Sequence, residues 1–286
     1  MSDHYRHSGK SAPEGPVLGL LLGSLVAIPA AFLYDYAIFS IDHEKLRILC
    51  PIAFGALIGA ACGVAMCWGK VRNKHLAGAV GACSAFFGLA LSWAAWILHL
   101  VYPSRWIFNL VWPMTHPAKL WAAIVAVNAT GTWGYDQNHA VKGSMLWFIW
   151  TAEALLVLGF SVLTAVALVQ RRPFCERCGD WCREHVSLYF APSTAPAQFQ
   201  ALLESDGINS VEKLAAGSKK LAHYRLHLQT CAICHSLNTV SLVQNFPRDR
   251  KTLVDKLLVS PEQAGVFRNL EISRMASSAA VASPAS

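Results

Sequence analysis

Residues 173–185 read PFCERCGDWCREH, and this stretch separates two parts of the chain that differ sharply in composition. It follows directly on the last of the long apolar runs, and it contains the first of two Cys-x-x-Cys pairs. The second pair, Cys231-Ala-Ile-Cys234, lies further downstream. The pattern predicts a membrane domain before residue 171 and a small domain held together by cysteine sulfurs after it.

The composition favours a membrane protein. Of the 286 residues, 54% are hydrophobic and only 14% are charged, whereas soluble domains carry roughly 25% charged residues. The charges thin out between residues 17 and 170 and return after Gln170. A net charge of +7 without a basic stripe and interleaved aromatic residues argues against nucleic acid as a partner. We therefore expect the lipid bilayer to be the main partner of the upstream part.

Four apolar runs predict four transmembrane helices, because each can cross a hydrocarbon core of about 30 Å at about 1.5 Å per residue. The segment between the third and fourth runs, residues 103–143, is broken by prolines and Lys119, so we expect re-entrant or interfacial helices there. A fifth span at 104–128 is the alternative. A disordered tail is expected at residues 1–16. The four predicted spans are 17–39, 48–68, 76–102 and 144–170.

The distribution of lysine and arginine predicts the orientation. With four spans, the positive-inside rule places the more basic loops in the cytoplasm, so both termini are expected there and the protein in the cell inner membrane. The basic residues expected inside are Arg6, Lys10, Lys70, Arg72, Lys74, Arg171 and Arg172.

The second predicted span carries a stripe of small residues, Gly55, Gly59 and Gly63, at four-residue spacing. Close backbone contact along such a stripe stabilises helix pairs in lipid, where little hydrophobic force acts between helices. The stripe predicts a packing face. It can serve within the chain or in a homo-oligomer, and the sequence leaves both open.

Residues 171–272 predict a small α+β domain, followed by a disordered, low-complexity tail at 273–286. Short helices are expected at 195–204 and 210–216, and a further helix is expected to begin at 260–262. Residues 223–229 alternate apolar and polar side chains, and residues 239–243 are β-rich, so two strands are expected with the second cysteine pair at their turn.

Cys175, Cys178, Cys231 and Cys234 predict a metal site, because a structural zinc ion is bound by about four such ligands and an x₂ spacing supplies two thiolates from one turn. Gly179 follows the first pair, where the turn needs a positive φ. This arrangement resembles the zinc-ribbon family, in which two cysteine knuckles clamp one ion, although a long helical insert separates the pairs here. The resemblance covers the C-terminal part only. It implies a structural Zn²⁺. The neighbouring residues Cys182, His185 and His235 are alternative ligands on their position in the sequence.

We expect the zinc ion to fold residues 173–245, since this segment has few large apolar residues and a domain of this size has a marginal core. A redox Cys-x-x-Cys pair is one alternative, and a cytosolic location argues against stable disulfides. Another is c-type haem attachment at Cys231–His235, which matches Cys-x-x-Cys-His. Haem attachment would occur outside the cytoplasm and would leave Cys175 and Cys178 unexplained.

Glu153 lies inside the fourth predicted span, where an ionisable side chain suggests a function. Its expected partners are His99 or the segment around Asn128, whereas Asp35 and His99 are expected to reach the membrane interface. The leading hypothesis is a non-enzymatic membrane protein whose cytosolic zinc domain binds a protein partner or passes on a signal. The alternatives are a small transporter or intramembrane enzyme that uses Glu153, and a membrane-anchored c-type cytochrome.

Overall fold

The computed structural model describes residues 3–41, 44–101, 111–132, 140–192, 196–204, 211, 214–217, 221–247 and 249–282. The chain forms two compact units. One, here called the helical unit, is Gly9–Arg171. The other, here called the sheet unit, combines Met1–Ser8 with Arg172–Ser286. The expected division near residue 171 is therefore seen, with the addition of the first eight residues to the downstream part.

The helical unit contains four helices that are long and apolar enough to cross a membrane. Among the described residues these are α1, α3, α4 and α7, and their bounds agree with the predicted spans to within a few residues. The agreement follows from the bilayer thickness, which sets how long each apolar run must be. The helices are α1 (Glu14–Ser40), α2 (Glu44–Arg47), α3 (Leu49–Trp68), α4 (Lys74–Val101), α5 (Val111–Thr115), α6 (Pro117–Thr130) and α7 (Ser144–Gln170).

The middle helices of the bundle are α3 and α4, and each packs against both α1 and α7. The outer helices expose large apolar side chains. Leu25 of α1 is 64% exposed and Leu155 of α7 is 64% exposed. Such a surface would be unfavourable in water, and monomeric soluble proteins rarely expose extended apolar patches for this reason. The outer faces of α1 and α7 are therefore suited to contact with lipid tails.

The predicted glycine stripe packs within the chain. A Cβ atom built at Gly55 would collide with the carbonyl oxygen of Val157, and one built at Gly59 would collide with that of Ser161. Gly63 of α3 lies against Ala165 and Leu168 of α7. The stripe therefore brings the backbones of α3 and α7 into contact, and a homo-oligomer would have to use another surface.

The segment between α4 and α7 contains two short helices, α5 and α6, in its described part. At about 1.5 Å per residue, α6 is roughly 21 Å long and does not cross a bilayer core of about 30 Å. Its apolar side chains, among them Ile124, pack with Trp93 and Trp150 of the neighbouring long helices. Residues 102–110 and 133–139 lie outside the described residues, so the choice between re-entrant and interfacial helices stays a prediction.

The sheet unit is built on an antiparallel four-stranded sheet with the order β3-β4-β5-β6. A small hairpin, β1 with β2, precedes it. The predicted strand pair is confirmed, because β4 and β5 are antiparallel and the second cysteine pair lies at their turn. The elements are β1 (Phe174–Cys175), β2 (Asp180–Trp181), β3 (Arg183–Phe190), α8 (Pro196–Glu204), β4 (His223–Thr230), β5 (Asn238–Phe246), β6 (Asp249–Val259) and α9 (Pro261–Ala282).

The sheet, α8 and α9 share one apolar core, which is larger than the sequence suggested. Phe199 of α8, Leu226 of β4 and Phe267 of α9 are each fully buried in it. Alternate residues of β3, β4 and β5 supply many of the others, because a strand directs every second side chain to the same face. The expectation that a metal must replace a missing core is therefore corrected. This core does not include the cysteines, which form a separate cluster.

Three other expectations differ from the structure. The helix predicted at 210–216 is reduced, in its described residues, to a 3₁₀ turn at Val211, where the Leu214 N–H donates to the Val211 carbonyl over 3.2 Å. It does not continue to residue 216, because Ala216 pairs with Phe190 and the Gly217 N–H donates to the Tyr189 carbonyl over 2.9 Å. The tail predicted from residue 273 continues α9 as far as Ala282. The N-terminal tail lies on the sheet unit at its start, where His4 pairs with Leu257 of β6. The predicted start of α9 is confirmed, because Ser260 and Gln263 cap it reciprocally.

Candidate metal centre

Two turns with the same backbone geometry carry the four cysteines. In the first, the Gly179 N–H donates to the Cys175 carbonyl oxygen over 2.8 Å, and Gly179 has a φ of 64°. In the second, the His235 N–H donates to the Cys231 carbonyl oxygen over 3.1 Å, and His235 has a φ of 53°. A positive φ after the second cysteine turns the chain so that both thiols of a pair lie on one side. Glycine adopts this conformation freely, whereas histidine adopts it at some cost.

The four sulfur atoms form one group. The Sγ atoms of Cys175, Cys178, Cys231 and Cys234 all lie within 4.8 Å of one another. The Sγ atoms of Cys175 and Cys234 are 3.7 Å apart. A disulfide would require about 2.05 Å, whereas sulfurs at about 2.3 Å from a tetrahedral ion lie roughly 3.8 Å apart. All nine cysteines of the chain lie in described segments and are free thiols. The four-cysteine group, as we call it below, could therefore hold a metal ion.

Burial divides the group into an inner and an outer pair of thiols. Cys175 and Cys231, the first residue of each turn, are 4% and 1% exposed. Cys178 and Cys234, which come last in each turn, are half-buried. Each turn therefore contributes one inner and one outer sulfur. The inner sulfurs are shielded from water, and the outer side gives a metal ion a path into the site.

The electrostatics of the group favour a bound cation. A hydrogen bond from the Ser236 hydroxyl, 2.9 Å from the Cys234 sulfur, lowers the pKa of Cys234 to about 5. The side-chain hydrogen bond between Cys178 and Cys234 raises the pKa of Cys178 to about 12. One thiolate is therefore readily formed, but further ionisation is opposed by the negative charge already present. A divalent cation removes this opposition, because coordination deprotonates thiols outright.

The alternative ligands lie near the four-cysteine group but are not members of it. Cys182 is fully buried beside it, with its backbone N–H donating to the Pro173 carbonyl over 2.8 Å. Burial and the neighbouring cysteines raise the pKa of Cys182 to about 12, so it remains a thiol. His185 and His235 are exposed, and their ring centroids are 6.3 Å apart. Four sulfurs suffice without them.

The N-terminal residues support the first turn, and this contact could not be predicted from the sequence. The Tyr5 hydroxyl accepts a hydrogen bond from the Phe174 N–H over 2.9 Å and donates one to the Phe174 carbonyl over 3.1 Å. The Ser8 hydroxyl donates to the Glu176 carboxylate over 2.6 Å. A few residues in a polar tail carry no periodicity from which such contacts can be read. Ser236 was also missed, although its position two residues after Cys234 is a usable signal.

Glu153 lies on α7 and lines a cavity inside the helical unit. Neither of its expected partners is bound to it in the structure. The His99 Nδ1 atom lies 3.0 Å from the Asp35 carboxylate, and the Asn128 side chain donates to the Gly143 carbonyl over 3.0 Å. The expectation that Asp35 reaches the interface is wrong, because α1 continues to Ser40 and Asp35 is 2% exposed.

Comparisons with known proteins give no relative: no protein-family model, curated protein or solved structure matches this chain. The case for a function therefore depends on the residues and their geometry alone.

Proposed function

We propose that the chain is an integral membrane protein whose sheet unit binds one structural Zn²⁺ through Cys175, Cys178, Cys231 and Cys234. The observation that carries this proposal is the convergence of four sulfur atoms within 4.8 Å. An all-sulfur, tetrahedral set suits zinc or iron among the biological metals. Zinc is favoured because Cys₄ sites on paired tight turns are a common form of structural zinc site. The match of two such turns supports the zinc-ribbon-like interpretation of this region.

A site with four protein ligands also bears on whether the protein is an enzyme. Catalytic zinc sites keep one position open for water or substrate, whereas structural sites fill all four. The four-cysteine group leaves no such position. We propose that the zinc domain is a non-enzymatic binding module, with a protein partner that it contacts on the cytoplasmic side of the inner membrane. The exposed side chain between the second pair supports this role, since Ile233 is 62% exposed although it is large and apolar.

The haem alternative has less support. Attachment of c-type haem would use the sulfurs of Cys231 and Cys234, and His235 would be an iron ligand. In the structure those two sulfurs belong to the same group as Cys175 and Cys178. A haem site would leave the first pair without a role, whereas one zinc ion uses both pairs.

The metal part of the proposal is tested by elemental analysis of the full chain, purified in detergent through a tag that does not bind metal. We expect about one zinc per chain. A combined zinc and iron content below about half an equivalent in fresh protein would refute the site. An equivalent of iron in place of zinc would refute the choice of metal.

The binding role is tested by photo-crosslinking in intact cells. A benzophenone amino acid at position 233 is compared with one at position 221, because Leu221 is also apolar and 71% exposed but lies outside the cysteine turns. We expect position 233 to yield a defined protein adduct that disappears with Cys231→Ala. No adduct, or one that is unaffected by Cys231→Ala, would count against a zinc-dependent partner.

The orientation follows from charge and needs its own test. We propose both termini in the cytoplasm, because the more basic loops are expected there. Reporter fusions after residue 172 should be active only with a cytoplasmic reporter. Activity with a periplasmic reporter alone would reverse the orientation and remove the compartment argument against haem attachment.

A further inference from the structure

The helical unit has a partly open cavity of about 70 Å³ that the zinc function does not use. Side chains from α1, α4 and α7 line it. One water needs roughly 10–15 Å³ on this scale, so the cavity can take a ligand on the order of five heavy atoms. The lining residues used below are Tyr34, Asp35, Trp93, Trp96, Trp150 and Glu153.

Asp35 is the feature that points to a ligand. Its side chain is fully buried, and its Oδ2 atom lies 3.0 Å from the His99 Nδ1 atom. Among the described residues its other oxygen, Oδ1, is buried and has no hydrogen-bond partner. An unpartnered carboxylate oxygen in the interior of an apolar bundle is costly. Because the Asp35 side chain has no exposed surface, a cation in the cavity would offset that cost through its charge at short range and not through direct contact.

The charge of the cavity also favours a cation. Two carboxylates line it, Asp35 from α1 and Glu153 from α7, and the described lining residues include no lysine or arginine. His99 can neutralise at most one of the two carboxylates. When both are ionised the site therefore keeps a negative charge, which no other described lining residue balances.

The remaining lining is aromatic, and this determines which kind of cation fits. The rings of Trp93 and Trp150 are 4.8 Å apart and nearly perpendicular, and Trp96 packs edge to face on Trp93 at 5.5 Å. Tryptophan faces attract cations, most strongly those that are easily desolvated, such as quaternary ammonium groups. Hard metal ions need several oxygen ligands in place of water. With two carboxylates among mostly carbon-rich side chains, the lining supplies few such ligands.

We propose that this cavity binds a small organic ammonium ion, with its positive charge at Asp35 and Glu153 and its methyl-sized substituents against the tryptophan rings. The site lies in the helical unit, so it is a function separate from the zinc module. The zinc content of each preparation reports on the proposed zinc function independently of ligand binding.

The test is equilibrium binding of radiolabelled tetramethylammonium to the full chain in lipid nanodiscs. Tetramethylammonium has a size that suits the cavity and cannot bind through N–H donors. We expect saturable binding, weakened about tenfold or more by Glu153→Gln, by Asp35→Asn and by Trp150→Leu. Trp68→Leu is the matched control, because Trp68 is 72% exposed on α3 and does not line the cavity. It should bind as the unaltered chain does.

Two competitors separate the proposal from its rivals. Neutral tert-butanol has a similar shape without the charge, and sodium has the charge without the methyl groups. Neither should displace tetramethylammonium at equal concentration. Absence of saturable binding would mean a cavity that holds only water, and equal displacement by either competitor would mean an apolar or an inorganic-cation site. Each of these results, or wild-type affinity in Glu153→Gln, would overturn the proposal. If Asp35→Asn fails to assemble, Glu153→Gln and the competitors still decide it.

Discussion

Cys231→Ala and Cys182→Ala each remove one sulfur atom from an almost fully buried position, and we expect very different effects on zinc affinity. Cys231 is 1% exposed and belongs to the four-cysteine group, whereas Cys182 is fully buried beside that group. Any loss of packing is therefore similar in the two variants. Only Cys231→Ala removes a metal ligand, so the difference between the variants isolates the contribution of the metal.

The sizes of the two effects follow from burial and coordination. Deleting one buried sulfur costs about 1–2 kcal/mol, which is the range for removing a comparable buried group. Structural zinc sites bind with about 10–16 kcal/mol at neutral pH, so an equal share for each of four ligands is about 3 kcal/mol or more. Cys231→Ala should therefore lower zinc affinity by about 100-fold or more. Cys182→Ala should leave that affinity within about tenfold of the unaltered chain.

The assay combines zinc analysis with hydrogen exchange of the full chain, read by mass spectrometry. In Cys231→Ala we expect zinc loss together with faster exchange at residues 173–182 and 231–237. Peptides from β4 and β5 serve as the internal reference, and they should stay protected because their side chains lie in the separate apolar core. Equal zinc loss in Cys182→Ala would refute the assignment of ligands. Fast exchange throughout the sheet in Cys231→Ala would refute the claim that the core is sufficient without metal.

Three further predictions concern the surroundings of the site and the helix packing. Tyr5→Phe removes two hydrogen bonds to Phe174. Amide hydrogen exchange at residues 173–182 should therefore become faster, by an amount equivalent to about 1–2 kcal/mol. The control Tyr36→Phe, at a residue that is 65% exposed on α1, should leave this exchange unchanged. Gly59→Ala should lower the free energy of unfolding of the helical unit by about 1–3 kcal/mol, because the added Cβ atom collides with α7. In the control Gly159→Ala, the added Cβ atom meets nothing within 4 Å, so this variant should be neutral or more stable by up to about 1 kcal/mol. Equal effects in the two variants would show that close packing at Gly59 is not the cause. Burial lowers the pKa of His227, so the stability that depends on its neutral ring is present above about pH 6.5 and lost as the pH falls through the lowered folded value. The melting temperature of the sheet unit should therefore fall on acidification below that pH and fall less in His227→Gln, with the zinc content checked at each pH; an identical decline in the variant would exclude His227 as the cause.

The sequence was sufficient for those parts of the fold that depend on local patterns. Bilayer thickness fixes the length of an apolar span, and alternation marks a half-buried strand, so α7 and β4 were predicted with nearly the observed bounds. The spacing of each cysteine pair likewise predicted which four cysteines converge. The predictions failed where distant residues decide the local structure. A helix is predicted at 210–216, but its described end lies at the edge of β3, where Ala216 pairs with Phe190 and backbone hydrogen bonds to the strand replace those of a helix.

The same limit explains the error at Asp35 in the membrane part. Asp35 and His99 both looked like interfacial residues, because a single sequence shows their distance from a span end but not which helices are neighbours. Their ion-pair geometry arises only when α1 packs against α4. Glu153 is marked by the sequence as an ionisable residue inside a predicted span. Its companion in the cavity, Asp35, was not, because the two lie on helices whose adjacency no local pattern reveals.

The chain is stabilised by a different force in each region, and this determines how far a local defect should spread. In the helical unit, helices in lipid gain little from the hydrophobic effect, so backbone contact at Gly55 and Gly59 and the hydrogen bond from Ser161 to the Gly81 carbonyl must hold α7 in place. In the sheet unit, the four-stranded sheet packs on a shared apolar core. The short hairpin of β1 and β2 has only two residue pairs, and isolated hairpins are marginal in water. A metal ion in the four-cysteine group would therefore stabilise mainly that hairpin, and it would join the start of the sheet unit to the turn between β4 and β5.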